Sequence, residues 1–265
     1  MIPVHADKVL DILQLVLYIP LLLLSQYCLL RHGRRGILGW FYVGAFCMIR
    51  LIAAGLKIHS DNTTATQSSG ATIVDNIGLS PVILAALGLL HEARTARGSV
   101  RNTKIEWLVV LQIHMLVTAG LALVAVGVSS LFKTKPSPDS AMTLLKAGFA
   151  IMFLGWGIIV GLCLWSFRRP TSYDQVDPTI FRDATILLNA VFFSLPFILL
   201  RAIYGALNLF GSGNTIGTSS FSSNVPADVI MNVLAQLAAA VIFVVAGVRT
   251  VRLGAMGFKE NSHPL

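Results

Sequence analysis

The chain has 265 residues, of which 55% are hydrophobic and only 12% charged, and its mean hydropathy is +0.76. A water-soluble domain of this length needs a charged shell that such a composition cannot supply. The formal net charge of +8 comes from short basic clusters set between long apolar runs, not from one basic face, so the expected partner is the lipid bilayer and not nucleic acid.

A helix that crosses about 30 Å of hydrocarbon needs about 20 residues. Seven runs of that kind follow one another, at 10–30, 37–58, 72–90, 105–131, 144–167, 184–210 and 229–251. They predict an all-α fold, one seven-helix transmembrane domain spanning residues 1–265. No cationic segment or small-residue cleavage site precedes the first run, so it is expected to remain as a span. Asp11, Gln14 and Tyr18 share a face of it. The second run carries Arg50, about 20 Å along the helix from its start and too deep to snorkel back easily. Beyond it lies the sequon Asn62-Thr63-Thr64, which makes Asn62 a candidate glycosylation site.

The third run is the least apolar. It opens with Asp75, Asn76, Gly78, Ser80 and Pro81, the pattern of a kinked span with a polar outer end. It closes at His91 and Glu92, which are expected at the membrane interface. In the fourth run His114 has no second His or carboxylate at ligand spacing, so it reads as a hydrogen-bonded bundle histidine and not as a metal ligand. The fifth contains Trp156, and Lys146 near its start is expected to snorkel. The sixth holds Pro196, read as a kink, and then Arg201, Tyr204 and Asn208 on one face. The seventh opens at Asp228, with Asn232 and Gln236 following at helical spacing.

Basic residues give the expected orientation. Arg31, Arg34 and Arg35, then Arg94, Arg97, Arg101 and Lys104, then Arg168, Arg169 and Arg182, and finally Arg249, Arg252 and Lys259 follow the first, third, fifth and seventh runs. Two of the alternate loops, 59–70 and 211–224, contain no Lys or Arg. The N-terminus is therefore expected outside or in the lumen and the C-terminus in the cytosol, in the endoplasmic reticulum or plasma membrane. The three cysteines, Cys28, Cys47 and Cys163, lie inside apolar runs without CxxC spacing and read as small buried hydrophobes.

Ionisable groups inside spans turn inward or pair. Arg50 and Arg201 both fall in the outer half, with Asp75, Asp11 and Asp228 as acids at the same depth. One reading is interhelical pairing of the arginines with Asp75 and Asp228. The other is a polar-bottomed pocket that opens outward and binds a hydrophobic small molecule, with Asp11, Tyr18, Asn76, Tyr204, Asp228 and Asn232 as contacts and Tyr42, Trp156, Phe192, Phe193 and Phe197 as aromatic walls. On either reading the bundle is expected to be polar in its outer half and apolar in its inner half.

Three stretches, Phe46-Cys-Met-Ile-Arg50 with Leu51 to Gly55, Leu195-Pro196-Phe197 with Arg201, Tyr204 and Leu207, and Gly247-Val-Arg249, resemble a family of small fungal seven-span membrane proteins of poorly defined function. A subset of that family are membrane-bound terpene cyclases that close prenyl chains of meroterpenoids in secondary metabolism. The resemblance implies an isomerase or lyase acting on a prenylated substrate. Asp75 would be the candidate acid, because a carboxyl in an apolar span can stay protonated, and Arg50 and Arg201 would orient a polar head. The chain contains no DDxxD run for Mg²⁺-dependent diphosphate ionisation, so neither metal nor cofactor is expected. The alternative is a non-enzymatic lipid or metabolite transporter, with a seven-span receptor ranked below it because the basic loops and the tail after Val251 are short.

Overall fold

The computed structural model describes residues 4–63, 79–99, 103–131, 138–168, 177–210 and 229–253, and the regular structure among them is entirely helical. The first helical stretch, Val4–Thr63, breaks at Gly33, whose φ of 63° and ψ of −157° are open to glycine and strained for any side chain. It is therefore two antiparallel helices, α1 (Val9–Gly33) and α2 (Gly36–His59). Gly44 of α2 rests on Gln26 of α1, and Tyr18 meets Phe46 edge to face at 5.9 Å. Then come α3 (Leu79–Ala96), α4 (Thr103–Leu131), α5 (Pro138–Ser166), α6 (Pro178–Phe210) and α7 (Val229–Arg249), the last opening with a π-helical turn at Val229–Leu234.

Six of the seven, all but α3, are long and apolar enough to cross a membrane. Large apolar side chains cover their outer faces, among them Leu23, Leu30, Met115, Leu154 and Phe193. That surface suits hydrocarbon and not water. The protein is thus a multi-pass integral membrane protein in contact with the lipid bilayer.

The third helix is described from Leu79, continues past the expected end at Leu90 to Ala96, and is buried along all of Leu79–Ala93; residues 72–78 of the expected span lie outside the described residues. The most apolar windows of the other helices are only 28–50% buried. Hence α3 is the axis of the bundle. It is the least apolar helix because it meets other helices and not lipid, so His, Glu and Arg can be satisfied by protein. Pro81 sits in the first turn described for α3. Both α5 and α6 start earlier than their apolar runs. Each opens on a proline, and the exposed Asp177 caps α6 through the Thr179 amide and hydroxyl at 2.8 and 2.7 Å. Those two bonds hold the Asp177 carboxyl below its ordinary value.

Lipid supplies no hydrophobic force between helices, so close approach rests on small residues. Gly120 and Gly127 of α4 face Gly148 and Leu145 of α5. Where α2 crosses α3 the backbones touch: a Cβ on Gly88 would lie 2.5 Å from Gly39 Cα and 2.9 Å from the Leu38 carbonyl carbon. Hydroxyls of Thr118, Ser129, Ser166, Thr185 and Thr250 donate to the carbonyl one turn back, which satisfies them inside the bilayer.

Backbone cannot yield at the α2–α3 crossing, so Gly88→Ala should lower stability by about 1–3 kcal/mol. Gly157→Ala, with nothing within 4 Å of its Cβ, should be neutral or stabilising by up to about 1 kcal/mol. Unfolding in mixed detergent micelles checks both.

Candidate functional site

Two buried polar clusters stand at opposite ends of the bundle. The first contains the arginines singled out from sequence. Arg50 of α2 is buried and donates from Nη2 to Asn232 Oδ1 at 2.9 Å, and Gln236 Nε2 reaches the same oxygen at 3.4 Å. The π turn that opens α7 widens the helix where Asn232 projects, and Asn232 and Gln236 both point inward. Arg201 of α6 is buried with its guanidinium carbon 6.0 Å from the Tyr204 ring centroid. Asp11, Gln14 and Tyr18 of α1 are buried, as their shared face predicts.

Other expected contacts lie elsewhere. Tyr42 is about 12 Å along α2 from Arg50, where its hydroxyl approaches the His114 ring at 3.3 Å. Phe192 and Phe193 are exposed and meet edge to face, so they face lipid and are not pocket walls. Trp156 is half-buried and donates from Nε1 to the Leu195 carbonyl at 3.1 Å, beside the Pro196 position of α6. Asp75, Asn76, Asp228 and the Asn62 side chain lie outside the described residues, and so do the pairings expected of Asp75 and Asp228.

Beside this cluster runs an apolar groove of about 390 Å³ between α6 and α7, lined by Phe197, Leu200, Ile230, Leu234, Ala238 and Val241 among others. Ile230, Leu234 and Val241 are exposed, so the groove opens sideways onto the lipid face. Of the expected pocket residues that are described, Phe197 alone lines it.

The second cluster overturns the expectation of an apolar inner half. At the basic end, where α1, α3, α5 and α7 finish, Glu92 is buried in protein. Its Oε1 lies 2.6 Å from His32 Nδ1 of α1, and its Oε2 accepts the indole N–H of Trp40 of α2 at 3.2 Å. His32 Nε2 lies 3.0 Å from the Gly247 carbonyl oxygen of α7. A carbonyl only accepts, so Nε2 carries a hydrogen, and the short contact at Nδ1 then requires a further proton shared with Glu92. Glycine is required around the cluster. A Cβ on Gly36 would lie 2.9 Å from Glu92 Oε2, and one on Gly247 would lie 2.5 Å from Trp40 Cζ2.

Two helical residues further along α3, Arg94 grips Glu106 of α4 with paired bonds of 2.8 and 3.0 Å and donates to Ser166 Oγ of α5 at 3.1 Å. His91, also buried, meets the Trp107 ring at 5.3 Å, and its Nδ1 stays 3.7 Å from Glu106, beyond a hydrogen bond. No motif in the sequence marks His32, Trp40 or Gly36, and Gly247 enters only through the Gly247-Val-Arg249 stretch. The usable signal was depth: a His, a Trp and a Glu each stand within about two turns of a span end on the same side.

The chain matches, over residues 4–253, the family described as a domain of unknown function (DUF7702). It belongs to that family. No curated protein and no solved structure matches it.

His32→Ala or Glu92→Ala leaves a buried partner unsatisfied and should cost about 3 kcal/mol. The double variant should cost less than the sum of the two by about 0.5–3 kcal/mol. A double-mutant cycle on unfolding in detergent reads this directly.

Proposed function

We propose that the protein crosses the membrane seven times with its basic end in the cytosol, and that the opposite half of the bundle binds a prenylated or otherwise lipid-like small molecule. The observation that carries this reading is the lateral groove between α6 and α7, in the half of the bundle that holds buried Arg50, Arg201 and Asn232. An amphipathic molecule would pass into the groove from the bilayer, lay its apolar chain along Phe197, Leu200 and Leu234, and turn its polar head toward the arginines. The groove volume falls within the range of small-molecule sites.

Cyclisation is the activity that the sequence resemblance adds to such a site. A protonated Asp75 would give its proton to a terminal alkene or epoxide, the resulting cation would be attacked by internal double bonds, and loss of a proton would end the reaction without change of mass. Trp156, Phe197 and Tyr204 are the rings available to stabilise the cation. Neither metal nor diphosphate takes part in this reading. Carriage of an unmodified lipid is the second reading, favoured by the groove's opening toward lipid rather than into an enclosed cavity. Asn62 would carry a glycan on the non-cytosolic side.

The test is to supply microsomes containing the protein with prenylated aromatic substrates. The cyclase reading expects a cyclic isomer of unchanged mass from the wild type, lost in Asp75→Asn and reduced at least about tenfold, equivalent to about 1.4 kcal/mol, in Leu234→Trp, which fills the groove. A lipid retained or moved but unchanged assigns carriage. Neither product nor retained lipid overturns the binding site itself.

A further inference from the structure

We propose that Arg97, at the basic end of the bundle, is the core of a binding site for the phosphate of an anionic membrane lipid. The backbone is locked at this point: the Arg97 amide bonds Ala93 O at 3.0 Å, and the chain then turns through Gly98 at a φ of 67°. The side chain is 4% exposed. Its guanidinium carbon lies 4.7 Å from the centroid of the Phe181 ring in the first turns of α6. That ring contact is its one partner among the described residues, and its Nε makes no hydrogen bond. Arg94, one turn earlier, shows the usual arrangement, with its fork closed on a carboxylate. Burial pulls the Arg97 guanidinium below its ordinary value, yet a guanidinium does not give up its charge in proteins. A buried cation of this kind calls for an anion.

Among the described residues, Glu106 is taken by Arg94, and the exposed Asp177 spends its Oδ1 on Thr179. Beyond the Gly98 turn, Ser99 Oγ is a second buried polar atom with no partner, and it can donate to a phosphate oxygen as Arg97 does.

Depth selects the source of the phosphate. Trp165 is 63% exposed with the Arg168 guanidinium 4.7 Å above it, and Trp107 is exposed beside His91. Amphipathic rings of this kind sit at the head-group layer. Ser166, next to Trp165, accepts Arg94 directly, so the α3 end lies at the level where lipid phosphates are concentrated.

Native mass spectrometry and thermal unfolding of delipidated protein in neutral detergent test this. Phosphatidic acid, phosphatidylcholine with the same acyl chains, and inorganic phosphate are added separately to the wild type, Arg97→Met and Arg168→Gln. The expected result is an adduct and a raised Tm with phosphatidic acid alone, lost in Arg97→Met by at least about tenfold in affinity and kept in Arg168→Gln. Without lipid, Arg97→Met should be at least as stable as the wild type, because it removes a buried cation and keeps the apolar stem. Wild-type lipid binding by Arg97→Met, an equal response to inorganic phosphate, an equal loss in Arg168→Gln, or failure of Arg97→Met to fold without lipid would each overturn the proposal.

Discussion

The last two turns of α3 hold the bundle in register. Within the stretch from His91 to Arg97, Glu92 reaches α1 through His32, α2 through Trp40 and, by way of His32, the α7 backbone. Arg94 reaches α4 and α5, and Arg97 reaches α6. One helix end thus contacts five of the others directly and the sixth, α7, through His32. In lipid this matters more than in water, because apolar side chains gain little by leaving lipid for one another, and specific polar contacts and close backbone packing choose the arrangement. Each of these groups is charged or strongly polar and buried, so a misplaced helix leaves an unsatisfied partner.

That constraint explains the uneven distribution of polarity. The helix least suited to lipid is the axis, and the helices with the least buried windows, α1 and α4, carry much of the exposed apolar surface. The bundle is polar at both ends. At the basic end most of the described polar groups close on one another, and the Arg97 guanidinium is left with a ring contact only. At the opposite end Arg50 and Asn232 meet beside a π turn and a groove open to lipid. The first arrangement suits anchoring, and the second leaves room for an amphipathic ligand.

Much of the fold is legible in the sequence because length and apolarity answer to bilayer thickness, and six helices follow from them. The inward face of Asp11, Gln14 and Tyr18 and the Asn232, Gln236 stripe are legible too, since helical spacing alone puts polar groups together. The centrality of α3 is not, because hydropathy registers preference for lipid and α3 does not meet it. The basic-end network is equally hidden. His32 and Gly247 are 215 positions apart, and nothing local says that a histidine ending one helix will meet a carbonyl ending the last. Phe192 and Phe193 mislead for a related reason: an aromatic residue in a span serves a pocket wall and a lipid face equally well, and only the packing decides between them.

The central claim, that α3 is shielded from lipid on every side, is most directly tested by spin labels placed singly along residues 79–93 of the protein in bilayers, with collision with oxygen, which concentrates in hydrocarbon, as the readout. The account predicts uniformly low oxygen accessibility along α3, against a helical oscillation along the half-exposed α1. A periodic maximum on any face of α3 would contradict it.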